Sequence, residues 1–351
     1  MGASGGMGRP RGGTVDRGAA DTMPGVVRRR ARMAISGVPA DPEEETAVIT
    51  VVGEALVDLV RRPGGEVVAH PGGSPANVAV GLARLGASVA LVTSYGKDEY
   101  GDLLAEHLTG NGVTVLGEVG SPQPTSVAEA TLDAAGVATY DFRIHWELSE
   151  DPRPADGSVC VHTGSIAATL EPGASAVARM LDRARGEATL SYDPNCRPTL
   201  MGTPEQARER IEGLVAGCDV VKVSDEDLRW LYPGEAYDDA GRRWLASGPA
   251  LVVVTRGGEG SWGVTAAGAV LRPPLRVDIA DTVGAGDAFM AGLIDGLRRR
   301  ELLGAAAAAR LRAVDEAVLD ELLAEADLVA AITCSRPGAD PPTAAEVAAR
   351  R

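Results

Sequence analysis

Apolar residues along the first half of the chain form two kinds of pattern: nearly continuous runs, and positions repeated at helical spacing. Residues 47–60, AVITVVGEALVDLV, are almost wholly apolar and predict a buried strand. Residues 74–86, SPANVAVGLARLG, predict a helix, because serine and proline suit its start, glycine suits its end, and apolar residues recur along one face. A strand over 87–96 and a helix over 98–112 follow. This βαβα order is typical of a parallel sheet.

The pattern changes in two places. Residues 56–72 form a glycine-broken excursion with one short strand, and residues 123–147 alternate apolar with polar side chains, which favours antiparallel strands with one solvated face. The α/β order then resumes. We predict strands at 158–164, 188–195, 219–224 and 250–257, and helices at 172–185, 204–216 and from about 225. After these we predict a hairpin to about 272, followed by two closing helices and a small strand. The expected fold class is α/β, a doubly wound sheet flanked by helices, with a small β element built from the two insertions.

Composition narrows the class of protein. Hydrophobic residues make up 45% of the 351 residues but aromatic residues only 3%, so the core must be built from alanine, valine and leucine. The formal net charge of −15 argues against nucleic acid or an anionic membrane as a partner. The four cysteines form no C-x-x-C pair, which favours reduced thiols and a cytoplasmic location. No apolar run reaches the ~18 residues of a membrane-spanning helix.

The first 45 residues differ from the rest of the chain. They are rich in glycine, arginine and proline and show no periodic pattern, so we expect a disordered extension over 1–45 and a folded domain over 46–351. A translation start at Met23 or Met33 is the alternative, and part of the extension would then not belong to the native product.

The stretch ADTVGAGDAFMAGL, residues 280–293, combines a glycine turn, an acid and a helix. Gly284 and Gly286 permit a tight turn, and an apolar face predicts a helix from about Ala285. The first N–H groups of a helix lack partners inside it and carry partial positive charge, so they form an anion site. Asp287 would take a proton from an attacking hydroxyl while the N–H groups stabilise a moving phosphoryl group. The alternative is a first-turn aspartate with no catalytic role.

Other nucleotide-binding patterns are weak or absent from the sequence. G-x-x-x-x-G-K-[ST] does not occur, so an ATP site here is not a P-loop. Residues 257–263, GGEGSWG, contain G-x-G-x-x-G, but a hairpin follows them instead of a helix. The pattern therefore gives little support to a nicotinamide-dependent oxidoreductase.

Two long motifs resemble the signatures of one family. ADTVGAGDAFMAGL is similar to the C-terminal signature of the ribokinase-like sugar kinases, the PfkB family, and HPGGSPANVAVGLARLG at 70–86 is similar to their N-terminal signature. The motifs stand in the family's order, and the resemblance covers roughly residues 47–345. It implies a ribokinase-like fold, an ATP-dependent sugar kinase that uses Mg²⁺, and a small β element that acts as a lid over the sugar. A requirement for K⁺ is a further expectation.

The resemblance also implies residues for catalysis and sugar binding. Asp287 would be the catalytic base that deprotonates the acceptor hydroxyl, and the backbone of Gly284, Ala285 and Gly286 would be the anion hole. The implied sugar-binding set is Asp58, Gly72, Gly73 and Asn77.

A second implied group surrounds the nucleotide. Ser224 and Asp227 stand where many members carry the Asn and Glu of N-x-x-E, so we expect Ser224 near the ATP phosphates and Asp227 to hold Mg²⁺ through water. Acidic residues that simply start a helix are the alternative. Further positions implied for ATP are Thr255, Gly257, Gly260 and Gly338, and those implied for a monovalent cation are Asp281 and Val283.

The identity of the acceptor sugar is the least determined part. GEALVD, GGSPANVA, DPNCRP and TCSRPGA look most like the bacterial fructokinase branch, which implies conversion of fructose to fructose 6-phosphate. Arg143 in the second insertion, and Asp193 and Arg197 after a strand end, are expected on the substrate or phosphate side. The alternatives are a 2-keto-3-deoxygluconate kinase, a ribokinase and a non-catalytic sugar-binding regulator. Exposed edges of the lid strands favour a homodimer.

Overall fold

The computed structural model describes residues 47–61, 67–132 and 138–351. The extension predicted over residues 1–45 lies outside these ranges. The described residues, from Ala47 to Arg351, lie in one compact unit. Within the described ranges, no helix is both long enough and apolar enough to cross a membrane.

Strands and helices alternate along most of the described chain. The strands are β1 (Val48–Val52), β2 (Leu56–Arg61), β3 (Val67–Gly72), β4 (Ser88–Gly96), β5 (Thr114–Ser121), β6 (Val127–Leu132), β7 (Ala138–Arg143), β8 (Ser158–Gly164), β9 (Thr189–Asp193), β10 (Val220–Ser224), β11 (Leu251–Thr255), β12 (Ser261–Thr265) and β13 (Gly268–Arg272). The helices are α1 (Ser74–Arg84), α2 (Glu99–Gly110), α3 (Gly173–Ala184), α4 (Pro198–Met201), α5 (Pro204–Gly217), α6 (Asp225–Leu231), α7 (Tyr237–Ser247), α8 (Ala285–Arg299), α9 (Ala308–Arg312), α10 (Glu316–Cys334) and α11 (Ala344–Ala348).

Nine strands form the main sheet in the order β13-β12-β11-β10-β9-β8-β1-β4-β5. The seven strands from β11 to β5 pair in parallel, whereas β12 and β13 form an antiparallel hairpin at one edge. Alternate side chains of one strand enter different cores: Val220 packs with the core that contains α1 and α8, and Val223 with the core that contains α3 and α5. Because both faces are covered, the strands read as continuous apolar runs.

Small residues bring helices α1 and α8 close together. A Cβ added to Gly81 would lie 2.8 Å from the Cβ of Ala291, and a Cβ added to Gly292 would lie 3.0 Å from the Cα of Ala326 on α10. The absence of side chains at these glycines therefore sets the distance between the helices. This packing fixes the start of α1 against the start of α8, where the predicted site residues lie.

The second sheet contains four strands in the order β3-β2-β6-β7. Strands β2 and β3 pair antiparallel, β2 and β6 pair in parallel, and β6 and β7 pair antiparallel. These strands come from the two segments that break the α/β order of the sequence. The predicted fold class is confirmed: a doubly wound sheet flanked by helices, with a small sheet formed from two insertions.

Two predicted elements are wrong. The apolar run at 47–60 is not one strand, because β1 ends at Val52 and the chain enters the second sheet at Leu56. Gly53 lies at this break, and a side chain there would collide with the ring of Pro75. The closing strand is also absent, since the described residues after β13 form only helical elements. Leu319, Leu322 and Leu323 lie at helical spacing in α10 and are buried.

We predict that Leu293→Ala destabilises the fold more than a matched surface change. Leu293 on α8 is fully buried, so its removal should lower the free energy of unfolding by about 2–5 kcal/mol. Leu271 has a 59% exposed side chain, and Leu271→Ala should change the free energy by no more than about 0.5 kcal/mol. Urea unfolding of both variants gives the comparison, and equal losses would contradict the assignment of α8 to the core.

Candidate active site

Helix α8 begins at Ala285, as predicted, directly after a turn that only glycine fits. Gly284 is the N-cap residue and has a φ of +73°, in the left-handed region. A Cβ added to it would lie 2.6 Å from the Cβ of Ala339. Conformation and space therefore both require glycine at this position.

The backbone N–H groups at the start of α8 differ in whether a protein acceptor occupies them. Ala285 donates its N–H to the carbonyl of Thr282 at 3.2 Å. Among the described residues, no acceptor is found for the backbone N–H groups of Gly284, Gly286 and Asp287. The predicted anion hole included the Ala285 N–H, which this hydrogen bond occupies. The groups left to bind an anion are those of Gly284, Gly286 and Asp287.

The carboxylate of Asp287 is held by two donors from the first turn of α1. Ser74 Oγ donates to Oδ1 at 2.6 Å, and Asn77 Nδ2 donates to Oδ2 at 2.9 Å. Burial raises the pKa of Asp287 above its ordinary value, and the hydrogen bonds from Ser74 and Asn77 and the charge of Lys222 oppose that rise. The acid is therefore oriented, enclosed and more basic than a surface aspartate.

The sequence suggested Ser74 as the cap of α1, which is wrong, because the N-cap residue is Gly73 and the Ser74 hydroxyl donates to Asp287 instead. The signal for this contact was available, because Ser74 directly follows the glycine pair and precedes Pro75 at the start of α1. Asn77 was predicted to bind sugar, and in this structure it contacts Asp287. One Asn side chain amide has two N–H donors and one carbonyl acceptor, so this contact leaves it able to bind a hydroxyl as well.

The absence of side chains at Gly72 and Gly73 leaves room for atoms of Asp58 and Glu54. A Cβ on Gly72 would collide with the carboxylate of Asp58, which lies on the neighbouring strand β2. Gly73 has a φ of +100°, and a Cβ on it would lie 2.5 Å from the carbonyl oxygen of Glu54. These two glycines thus seat Asp58 and Glu54 beside the start of α1.

Two acids with raised pKa values lie on this side of the site. Burial, assisted by the negative charge of Asp287, raises the pKa of Asp58 to about 6 against the opposing charge of Arg197. Burial raises the pKa of Glu54 to about 7, although Glu54 accepts the N–H of Ala167 at 3.1 Å. Buried carboxyl groups whose pKa values are also affected by a nearby guanidinium are typical of ligand-binding sites. Sequence reasoning missed Glu54, whose carboxylate follows a buried strand within GEALVD.

The other residues predicted on the substrate side have protein partners. Arg197 donates to Asn195 Oδ1 at 2.7 Å, and its charge acts on both Asp58 and Glu54. Asp193 is buried and accepts from Lys222 Nζ at 2.6 Å. The charge of Arg197 therefore acts on Asp58 and Glu54, and Asp193 forms an ion pair with Lys222.

Arg143 lies on strand β7 of the small sheet. Its guanidinium pairs with Glu129 at 3.1 Å, and 58% of its side chain is exposed. Glu129 also pairs with Arg61 at 2.6 Å. The predicted contact of Arg143 with sugar stays a prediction.

Ser224 and Asp227 form the capping box of helix α6. Asp227 donates its N–H to Ser224 Oγ at 3.0 Å, and its carboxylate accepts the N–H of Ser224 at 3.3 Å and that of Cys196 at 2.9 Å. Burial raises the pKa of Asp227, and the charge of Asp193 raises it further. The alternative interpretation, acids at a helix start, thus describes these contacts. A carboxylate so placed still has lone pairs for a water molecule on Mg²⁺, so the predicted role of Asp227 is compatible with the structure.

Three of the remaining predicted nucleotide positions lie at or just after the end of β11, and Gly338 lies between α10 and α11. Gly257 (φ +50°) and Gly260 (φ +92°) flank the turn between β11 and β12. Thr255 ends β11 beside Ser224 of β10. The turn after β11 follows the carboxyl end of a parallel strand, where ligands bind in open α/β sheets.

Asp281 connects the turn before α8 to the C-terminal segment. Its carboxylate accepts the N–H of Val283 at 3.0 Å and that of Gly338 at 2.9 Å. Burial acts to raise the pKa of Asp281, but these backbone donors outweigh it and lower the pKa. Across the described ranges, no cluster of three or more His, Cys, Asp or Glu residues is arranged to hold a metal ion. A monovalent cation at Asp281 and Val283 stays a prediction.

Two surface cavities lie on other parts of the fold. One, of about 250 Å³, lies between α3 and α5 near Arg185 and Arg210, and the other, of about 490 Å³, lies near Arg242 and Arg312. Neither is lined by a predicted site residue. The predicted site residues therefore lie apart from both cavities.

This fold and site define a phosphotransferase of the ribokinase-like class. The family model described as "pfkB family carbohydrate kinase" matches residues 46–345. The chain belongs to the pfkB family of carbohydrate kinases.

Curated relatives are similar over most of the chain. A protein named fructokinase from Rhizobium leguminosarum bv. trifolii is 35% identical over 266 residues, which is 73% of this chain and 81% of that protein. Probable fructokinase-4 of Arabidopsis thaliana is 34% identical over 323 residues, which is 86% of this chain and 96% of that protein.

Solved structures share the fold. The fructokinase of Xylella fastidiosa with bound ATP has a TM-score of 0.76 and 28% identity, and the match covers 87% of this chain and 98% of that one. A double mutant of the Vibrio cholerae O395 fructokinase, solved with fructose, ADP and potassium ion bound, has a TM-score of 0.72 and 25% identity, with 87% and 98% covered.

We predict that Asp58→Asn stabilises the fold at pH 8 and not at pH 4. The folded pKa of about 6 exceeds the ordinary 3.8, so the stability that Asp58 contributes falls as pH rises from about 4 to about 6. Removing the charge should raise the free energy of unfolding at pH 8 by up to about 3 kcal/mol. Urea unfolding at both pH values, with exposed Asp156→Asn as the control, measures this. An equal change at both values would contradict it.

Proposed function

We propose that this protein is an ATP-dependent fructokinase, which transfers the γ-phosphoryl group of MgATP to the primary hydroxyl of fructose and releases fructose 6-phosphate and ADP. One observation carries the proposal: the buried carboxylate of Asp287 is held by Ser74 and Asn77 beside open N–H groups of α8. The relatives named fructokinase and the neighbour solved with fructose support the choice of acceptor.

In this proposal Asp287 is the general base. The hydroxyl oxygen of fructose forms a bond to the γ-phosphorus, the bond from that phosphorus to the β,γ-bridging oxygen breaks, and the hydroxyl proton moves to the Asp287 carboxylate. A raised pKa makes the carboxylate a better proton acceptor, and the hydrogen bonds from Ser74 and Asn77 stabilise its ionised form against the effect of burial. No covalent enzyme intermediate is required.

The open N–H groups at the start of α8 stabilise the phosphoryl group during transfer. Its oxygens spread negative charge in the transition state, and fixed donors in an enclosed site stabilise such charge strongly. The chain as a whole carries a formal net charge of −15, so these local donors are needed to hold a polyphosphate.

The other predicted residues take supporting roles. Asp58, Arg197 and Glu54 would bind sugar hydroxyls, and the small sheet would close over them and exclude water. Mg²⁺ neutralises phosphate charge when bound with ATP, and Asp227 would hold it through water. Ser224, Thr255 and Gly338 would line the nucleotide. Asp281 and Val283 would bind K⁺, in keeping with the neighbour that contains potassium. We also propose a cytoplasmic homodimer formed through the small sheet.

The acceptor is tested by ADP release in a coupled assay. We expect fructose to give the highest kcat/KM among fructose, 2-keto-3-deoxygluconate, ribose and adenosine at equal concentrations. A higher kcat/KM with another sugar would reassign the acceptor but keep the kinase. Sugar binding by calorimetry with no ADP release for any sugar would favour the non-catalytic regulator instead.

We predict that Asp287→Ala lowers kcat by at least ~10²–10⁴-fold while the protein still folds and binds fructose and ADP. The variant removes the proton acceptor but none of the N–H groups. Asp295→Ala, a second buried acid on the same helix, controls for loss of a buried carboxylate in α8. Initial rates give kcat, and calorimetry gives the affinities for fructose and ADP. A kcat within threefold of wild type would show that Asp287 is not the base.

A further inference from the structure

Lys222 is a buried ammonium in a strand of apolar residues. It lies on β10, and its side chain is 4% exposed. Its Nζ donates to Asp193 Oδ2 at 2.6 Å, and the Asp193 side chain is 1% exposed. Buried ion pairs often contribute no more stability than apolar residues of the same size. The pair therefore calls for an explanation other than stability.

The ammonium of Lys222 lies beside the turn that begins α8. A Cβ added to Gly286 would lie 3.1 Å from Nζ of Lys222. Gly286 is also one of the residues whose N–H has no acceptor among the described residues. A positive charge and open N–H donors thus lie side by side.

The ammonium of Lys222 interacts with three carboxyl groups. Its ammonium acts on Asp287 and Asp227 and lowers the pKa of each against the effect of burial, and Asp193 is bound to it directly. His162 is neutral, because burial and the charge of Lys222 lower its pKa to about 3. One ammonium therefore faces three carboxyl groups, and an arriving phosphoryl group needs it as a partner.

The hydrogen-bonding capacity of Lys222 is mostly unused. An ammonium has three N–H donors, and within the described part of the chain Lys222 makes one hydrogen bond, to Asp193. Asp193 is fixed in turn, since its other oxygen accepts the N–H of Asn195 at 3.2 Å. Two donors remain available toward the turn without breaking the ion pair.

We infer that Lys222 is a catalytic residue of the phosphoryl transfer and that Asp193 positions it. The ammonium donates to oxygens of the γ-phosphoryl group as that group moves from ATP to the sugar, next to the N–H groups of Gly286 and Asp287. Lys222 gives up no proton, because the hydroxyl proton goes to Asp287. This inference rests on the proposed kinase activity.

The test uses a variant that removes both charges of the ion pair. Lys222→Met alone would leave Asp193 buried and unpaired, so Lys222→Met is combined with Asp193→Asn. We expect kcat with fructose to fall by about 10²–10³-fold. KM for fructose and the affinity for ADP should stay within threefold. Lys97→Met, at the chain's other and exposed lysine, is the matched control and should keep wild-type kcat.

A transition-state mimic separates catalysis from structure. The affinity of ADP with aluminium fluoride in the presence of fructose should fall by about the same factor as kcat, because the fluoride complex occupies the place of the moving phosphoryl group. Retention of kcat within threefold would overturn the inference. So would a fall in kcat with wild-type affinity for the fluoride complex. Wild-type turnover is established beforehand in the acceptor assay, so a failure of the proposed function would be seen there.

Discussion

The hydrogen bonds from α1 to Asp287 are the constraint on which the rest of the site depends. Ser74 and Asn77 reach the acid only because α1 and α8 pack closely, and glycines at the contact allow that approach. The same α1 start is fixed to the small sheet through Gly72 and Gly73. One interaction therefore connects the proposed base, the proposed sugar-binding acids and the packing of the main sheet's helices.

The site concentrates acids in places where their charge is unfavourable. Burial raises the pKa values of Asp58, Glu54 and Asp287, so each ionised form costs folding free energy. Such a cost is typical of residues kept for binding or catalysis, because an apolar residue would be more stable there. The proposed function gives these acids partners, namely sugar hydroxyls and a transferable proton.

Much of the fold was predictable from the sequence. Apolar runs and caps located most strands of the main sheet and the helices beside it, but edge strand β5 was not predicted. The alternation at 123–147 indicated the second sheet. The apolar pattern runs across the break at Gly53–Ala55, because the strands on both sides are apolar, although the predicted first insertion begins at residue 56, where β2 begins. The small closing strand was wrongly predicted, because the described residues after β13 form only helical elements.

Site residues that lie within a sequence motif were predictable, whereas contacts between residues far apart in the sequence were not. The start of α8 at Ala285 followed from its glycines and the apolar face. That the Ala285 N–H is occupied follows from a hydrogen bond to Thr282, which spacing alone cannot predict. Ser74 and Lys222 lie more than sixty residues from Asp287, so only the folded chain brings them to it.

A crystal structure of the protein with fructose and a non-hydrolysable ATP analogue tests the central claim most directly. The account predicts that the terminal phosphate lies against the N–H groups of Gly286 and Asp287, with the Asp287 carboxylate within hydrogen-bond distance of the fructose primary hydroxyl. A carboxylate turned away from both ligands would contradict it.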